Sequence, residues 1–186
     1  TVRSVAVGGP VDRHCRADGG IYYITVKAED GSGVPYIGFV DPQSGDVKFE
    51  KKLPVSLDEY TVRKFVAAER IAFILTELRS SGGIDRTLER ININSMEGDR
   101  LKDVLDFHVD GRDLLLLSRG PSGIVLTANE VTVPITIPGE GILTISAVID
   151  RRVVFVTNGD ETEIADMQSG RALYRYANNR ELLAPE

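Results

Sequence analysis

The chain has 186 residues, of which 42% are hydrophobic and 27% charged, and its formal net charge is −6 at pH 7. This composition is typical of a soluble globular domain with a real core, and the negative balance argues against a general nucleic-acid binder. The single cysteine excludes an internal disulfide and favours a reducing, cytoplasmic location. No apolar run reaches the roughly 18 residues that a membrane helix needs, so we expect no membrane partner.

Charged turns recur along the chain, and each one precedes a short apolar run. Asp18-Gly19-Gly20 leads into IYYITV, Glu69-Arg70 into IAFILT, Asp110 to Asp113 into LLLLS, and Asp150 to Arg152 into VVFVTN. Nearly continuous apolar runs bounded by turn residues are typical of strands that are buried on both faces. The turns are about 40 to 50 residues apart, a period typical of propeller repeats.

A second marker follows three of these runs. Residues 41–46, 94–99 and 166–171 align without gaps, with Asp or Asn first and Gly fifth. An Asx side chain caps a turn through the backbone two residues on, and glycine supplies a positive φ. The third repeat has no glycine at the corresponding place, residues 127–130, and is degenerate.

Further strand-like segments complete four antiparallel strands in each repeat. VKFEKKL, RLKDVLDF and ALYRYA alternate like outer strands with one solvated face, and VRSVAV, TVRKFVAA, VLDFHV and LTISAVI precede the charged turns. VLDFHV and RLKDVLDF compete for the same residues. Residues 8–20 and the end of the chain read as irregular, and residues 79–88 as an insertion loop. The sequence therefore predicts one all-β repeat domain whose blades span about 1–55, 56–103, 104–141 and 142–178, with a tail at 179–186.

The pattern "DG-x-apolar run … D-x-x-S-G-x-x-L" covers most of residues 15–178 and is clearest from Asp166 to Tyr176. It resembles the blade of a β-propeller repeat protein of the tryptophan–aspartate or quinone-cofactor-like type. The resemblance implies a β-propeller of about four four-stranded antiparallel blades. The chain departs from both families because it has no tryptophan and no Gly-His signature.

One stretch favours a different fold. Residues 56–59 form the capping-box pattern S-x-x-E. Seven residues, all apolar except Lys64, follow three or four apart as on one helix face: Leu57, Tyr60, Lys64, Ala68, Ile71, Leu75 and Leu78. A helix at about 57–79 would make the protein α+β. The many β-branched residues and the continuous run IAFIL favour strands instead.

Three candidate metal ligands lie close together in the third repeat. Asp106, His108 and Asp110 would share one face of a strand, and such a set could hold a divalent metal such as Ca or Zn. An acidic calcium loop would require Glu at its twelfth position, where Leu117 stands. The alternative is that Asp110-Gly111 is only the blade's turn.

Other reactive groups are isolated. His14 and Cys15 are adjacent, so on an extended chain they point in opposite directions, and we expect a solvated loop there. The acidic stretches 29–33 and 158–163 read as solvated hairpin turns that could also bind calcium or a basic partner. Thr1 has no supporting set for an N-terminal nucleophile.

These observations favour a non-catalytic β-propeller scaffold that mediates protein–protein interaction, with no catalytic residues and no organic cofactor. We expect a protein partner, or self-association that closes a ring, and no nucleic acid. Two alternatives remain open: a propeller that forms part of a larger enzyme such as a peptidase, and a metal-dependent binder or hydrolase of small molecules or carbohydrates. The few labile residues, two Gln and one Cys, suit a hot environment.

Overall fold

The computed structural model describes residues 7, 9–55, 60–81, 83–111, 113–138 and 142–178. Over these residues the fold is all-β, and sixteen strands form four separate four-stranded antiparallel sheets. In each sheet the strands are neighbours in the order in which they follow along the chain. The predicted all-β class with four-stranded antiparallel sheets is confirmed. None of the described segments is a helix that could cross a membrane.

The chain divides into two compact units, one up to Lys102 and one from Asp103. The first unit contains two sheets, and their strands are β1 (Val11–Ala17), β2 (Gly20–Glu29), β3 (Ser32–Val40) and β4 (Val47–Lys52), then β5 (Thr61–Ala68), β6 (Ile71–Ser80), β7 (Gly83–Asn92) and β8 (Gly98–Lys102).

The second unit contains the third and fourth sheets. Their strands are β9 (Val104–Asp110), β10 (Asp113–Gly120), β11 (Gly123–Ala128) and β12 (Val131–Ile135), then β13 (Thr144–Ile149), β14 (Val153–Thr157), β15 (Glu161–Asp166) and β16 (Arg171–Ala177).

Each unit buries one apolar layer between its two sheets. In the first unit the layer includes Ile24 and Ile37 from the first sheet and Ile74 and Ile91 from the second. In the second unit it is built around Leu117, Leu126, Val133, Val154 and Val156. In the central strands, alternation sends every second side chain into this layer, and the continuous apolar runs of the sequence lie in these strands.

The helix alternative at 57–79 is wrong. Residues 61–80 form the β5–β6 hairpin, with Ala68 paired to Ile71 and Val62 to Thr76. The β-branched residues decided the outcome over the helix-like spacing, because the continuous run is buried on both faces of the sheet. The capping-box residues 56–59 lie outside the described residues.

The length attributed to an insertion loop at 79–88 is in fact strand. β6 and β7 are ten residues each, and their hairpin turns between Ser80 and Gly83. The central strands of the first sheet, β2 of ten residues and β3 of nine, have nearly the same length.

The predicted irregular loop at 8–20 is also wrong, because Val11–Ala17 forms β1 and pairs with β2. Only Cys15 and Ala17 of this strand pack against the apolar layer, so its polar alternate residues hid the strand pattern. VRSVAV, which was expected to be this strand, lies outside the described residues except for Val7. The Asp18-Gly19 turn is confirmed, and both residues have the positive φ of a tight two-residue hairpin.

The gapless alignment of the second marker is wrong in the second repeat by two residues. The capping side chain is Asn92, whose Oδ1 accepts from the backbone N–H of Asn94 and Ser95 at 2.9 and 3.2 Å. The positive φ of 62° falls on Met96, and Gly98 begins β8. In the first and fourth sheets the predicted pairs hold: Asp41 with Gly45, and Asp166 with Gly170.

The competition between RLKDVLDF and VLDFHV is settled at Asp103. This residue has a φ of 60° and separates β8 from β9, so residues 104–107 belong to β9 alone.

Candidate binding surface

The outer strands of the four sheets are β4, β8, β12 and β16. They differ in the residues that they carry along the edge facing away from the sheet. An edge strand exposes a row of backbone N–H and C=O groups that another chain can pair with, and proteins usually block it with charges or proline. β4 carries Lys48, Lys51 and Lys52, β8 carries Asp99, Arg100 and Lys102, and β12 carries Pro134. These three edges have the usual protection.

β16 carries Arg171 and Arg175, but three large apolar side chains are exposed beside them. All seven of its residues, RALYRYA, are exposed, and Leu173, Tyr174 and Tyr176 retain 56, 64 and 39% of their surface. The rings of Tyr174 and Tyr176 stack with centroids 6.1 Å apart. Over the described residues, β16 is the last strand of its sheet. Within the described part of the chain, it therefore presents an aromatic pair beside a backbone edge to which no further strand is paired.

A β-bulge places Leu173 on this surface. Tyr174 pairs with Ile164 and Ala172 pairs with Ala165, so Leu173 is the extra residue. A bulge increases the local twist and re-aims a side chain. We refer to Leu173, Tyr174 and Tyr176 as the β16 surface.

Side-chain hydrogen bonds attach β16 and its neighbour β15 to the end of the third sheet. Arg175 donates to Thr136 O at 3.2 Å and to Glu161 Oε2 at 2.5 Å. Opposite Arg175 on β15, Glu163 is buried, and its Oε2 accepts from the backbone N–H and the hydroxyl of Thr136, both at 2.8 Å. The other oxygen, Glu163 Oε1, is buried without a hydrogen-bond partner. These contacts fix the end of the third sheet to the fourth.

The turn before β16 is fixed by Asp166. Its carboxylate accepts from Arg152 Nε and Nη2 at 2.9 and 3.0 Å, and also from the backbone N–H of Gln168. These bonds, with that from Arg152 the strongest, hold the Asp166 pKa well below its usual range. The carboxylate is therefore charged at neutral pH and sets the direction in which β16 begins.

Two of the three predicted metal ligands contact other protein groups. Asp106 is buried, and its Oδ2 accepts from Ile145 N at 2.8 Å. Asp110 pairs with Arg151, with Nε 2.6 Å from Oδ2, and this contact lowers the Asp110 pKa. Among the described residues no three His, Cys, Asp or Glu side chains converge as a metal site would require. A metal at Asp106, His108 and Asp110 stays a prediction without a supporting cluster.

His14 and Cys15 point in opposite directions, as alternation requires, but along β1 and not in a loop. His14 is exposed, whereas Cys15 is half-buried and its Sγ accepts from Ala67 N at 3.2 Å. Burial raises the pKa of the Cys15 thiol, which disfavours the nucleophilic thiolate. Thr1 lies outside the described residues.

The two acidic stretches are hairpin connections. Asp30-Gly31 joins β2 to β3 with positive φ at both residues, and Glu29 accepts from the hydroxyl of Tyr36 and from Lys52. Asn158 caps its own turn, accepting from Asp160 N and Glu161 N at 3.0 and 2.8 Å. Glu29 and Asn158 are thus hydrogen-bonded to groups of the protein itself within or beside their hairpins.

Sequence reasoning did not identify the β16 surface. ALYRYA was predicted as an outer strand with one solvated face, but both faces are exposed. One signal was present: of the three outer strands that the sequence identified, this one has an aromatic pair where the others have lysine or aspartate.

The sequence matches no protein-family model and no curated protein. Among solved structures, the fold is similar to Kluyveromyces lactis Hsv2, with 8% sequence identity and a TM-score of 0.35. The match covers 90% of this chain and 64% of the length of that one. At this level the likeness transfers no property of Hsv2. The all-β class, with four antiparallel four-stranded sheets, rests on the strand pairing of the chain itself.

Proposed function

We propose that the protein is a non-catalytic β-propeller scaffold whose β16 surface binds an extended segment of a partner protein. The interpretation of each sheet as a propeller blade is supported by the topology, since each sheet is a four-stranded antiparallel meander made from consecutive strands. The observation that carries the binding role is the exposed edge strand β16 with its stacked Tyr174 and Tyr176.

Strand addition is the binding mode that suits this surface. An extended peptide laid along β16 would pair with the unpaired backbone groups, and its alternate side chains would contact the β16 surface. Tyrosine is enriched among residues that dominate binding energy, because it contributes a large contact area at a low cost in side-chain entropy. The rigid attachment of β16 through Arg175 keeps that ordering cost low.

The test is selection of random linear peptides displayed on phage against the full chain, followed by affinity measurement on selected peptides. We expect Tyr174→Lys to weaken binding by about tenfold or more, the loss typical of an interface hot spot. The matched control is Val47→Lys, since Val47 is an exposed apolar residue of another outer strand, β4. Binding should also protect the β16 amides from hydrogen exchange.

Two results would contradict the proposal. One is an absence of enriched peptides, and the other is equal loss of affinity in Tyr174→Lys and Val47→Lys. The molar mass in solution identifies a competing occupant, because a dimer that Tyr174→Lys dissociates would mean that a second copy occupies β16.

A further inference from the structure

Three arginines surround one buried glutamate on the second sheet. Arg79 Nε donates to Glu77 Oε1 at 2.8 Å, Arg86 Nε donates to Glu77 Oε2 at 2.9 Å, and Arg63 Nε lies 3.4 Å from the same Oε2. Glu77 is buried, with its side chain only 1% exposed. We call these four residues the arginine cluster.

Local strand geometry assembles the cluster. Glu77 on β6 pairs directly with Arg86 on β7, and Arg79 follows two residues along β6, on the same face. Arg63 is the extra residue of a β-bulge, since Val62 pairs with Thr76 and Lys64 pairs with Leu75. The bulge brings a third guanidinium to a carboxylate that already has two partners.

The charges of the cluster are unbalanced. Burial alone would raise the Glu77 pKa, but the hydrogen bonds from Arg79 and Arg86 outweigh it and lower the pKa, so the carboxylate is charged. Arg63 and Arg79, the two exposed arginines, therefore share this one negative side chain with Arg86. Arg90 and Arg152 differ, since each binds one carboxylate of its own, Asp99 and Asp166 respectively.

The contacts to Glu77 use the Nε atoms, and two of the guanidinium groups reach solvent. The Arg63 side chain is 36% exposed and the Arg79 side chain 69% exposed. The Nη donors of a guanidinium form a fork that matches two oxygens of one anion. Glu77 thus holds the Nε atoms of three guanidinium groups within 3.4 Å of its two oxygens.

We propose that the arginine cluster binds a tetrahedral dianion, the group shared by inorganic phosphate, phosphomonoesters and sulfate. An anion of two negative charges would offset the excess positive charge and accept from the forks of Arg63 and Arg79 together. This site does not depend on the β16 surface, since it uses other strands and other chemistry.

The test is calorimetric titration of the full chain with inorganic phosphate, O-phosphoserine and sulfate at pH 7.5, each against sodium chloride of the same ionic strength. We expect Arg63→Gln and Arg79→Gln each to weaken phosphate binding by about tenfold, the loss expected for a charge-assisted hydrogen bond. Arg79→Lys keeps the charge without the fork and should fall between wild type and Arg79→Gln.

Arg90→Gln is the matched control, because Arg90 lies on the same sheet and has a one-to-one partner, and it should bind phosphate like wild type. Tighter binding of phosphoserine than of phosphate would identify an ester as the ligand, and equal binding would identify the free anion. The proposal is overturned if wild type binds phosphate no better than chloride, or if Arg90→Gln loses as much affinity as Arg79→Gln.

Discussion

β4 and β16 occupy equivalent places in the first and fourth sheets but present opposite surfaces. Each follows an Asp-x-x-Ser-Gly turn, and each has a one-residue bulge seven positions after the Asp, at Lys48 and at Leu173. Lys48 forms ion pairs with Asp41 and Asp46, whereas Leu173 is exposed and apolar. The turn and the bulge therefore set the backbone path, and the residue at the bulge sets what the edge can do.

The largest expected change in stability comes from substituting the glycines of the two turns. Gly45 and Gly170 have φ values of 78° and 68°, so we expect Gly45→Ala and Gly170→Ala each to lower the free energy of unfolding by about 1 kcal/mol. A Cβ on Gly170 would meet only ordinary contacts, the nearest at 3.8 Å, so the loss would come from the backbone. Urea unfolding measures it.

Gly120→Ala is the control for that experiment, because Gly120 lies in β10 without a positive φ and has room for a Cβ. It should leave stability unchanged or raise it slightly. Equal destabilisation by all three variants would mean that the two turns are not the special positions.

The two turns should differ in their sensitivity to acid. The Asp166 pKa is lowered mainly by Arg152, and the Asp41 pKa mainly by the backbone N–H of Gln43. A carboxylate with a depressed folded-state pKa stabilises the protein above its unfolded pKa of about 4, and that stability is lost as the pH falls toward the folded value. We therefore expect stability to fall below about pH 4, and less steeply in Asp166→Asn than in wild type.

Urea midpoints measured between neutral pH and the acid limit of solubility check this expectation. Asp41→Asn should change the acid slope less than Asp166→Asn, since Asp41 has no arginine partner. Identical slopes in wild type and Asp166→Asn would show that the Arg152 pair does not contribute to acid sensitivity.

The smallest expected effect on stability comes from exchanging the bulge residues. Lys48→Leu and Leu173→Lys should each change the free energy of unfolding by less than about 0.5 kcal/mol, because both side chains are on the surface. These substitutions should instead change the self-association of the protein. Lys48→Leu should make the edge of β4 more prone to pair with another copy of the chain. Light scattering over a concentration series would detect it, and a Leu173→Lys variant that unfolds readily would contradict the surface role of Leu173.

The sequence predicted the parts of the fold that local chemistry dictates. Asp18-Gly19 and Asp166 to Gly170 specify turns through positive φ and side-chain capping, and β-branched runs such as IAFIL specify buried strands. It failed where another residue type met the same geometric need. Met96 takes the left-handed conformation that was expected of glycine, and Asp103 ends one strand and begins the next.

The candidate sites were harder to predict, because they depend on contacts between strands. Asp106, His108 and Asp110 alternate correctly, but their neighbours across the sheets, Ile145 and Arg151, engage two of them. The arginine cluster joins residues from three strands through a bulge that no local motif indicated. The exposure of β16 depends on what lies beside it, and no periodicity encodes that.

Cys15 gives the protein a built-in reporter of its own opening. It is the only thiol in the chain, and it lies where β1 packs beside β5, with its sulfur held by Ala67. Because the thiol is half-buried and its pKa is raised, a thiol reagent should react slowly with it in the native protein and faster when those two strands separate. The rate of labelling would therefore report how readily β1 separates from β5 in the first unit, with no engineered probe.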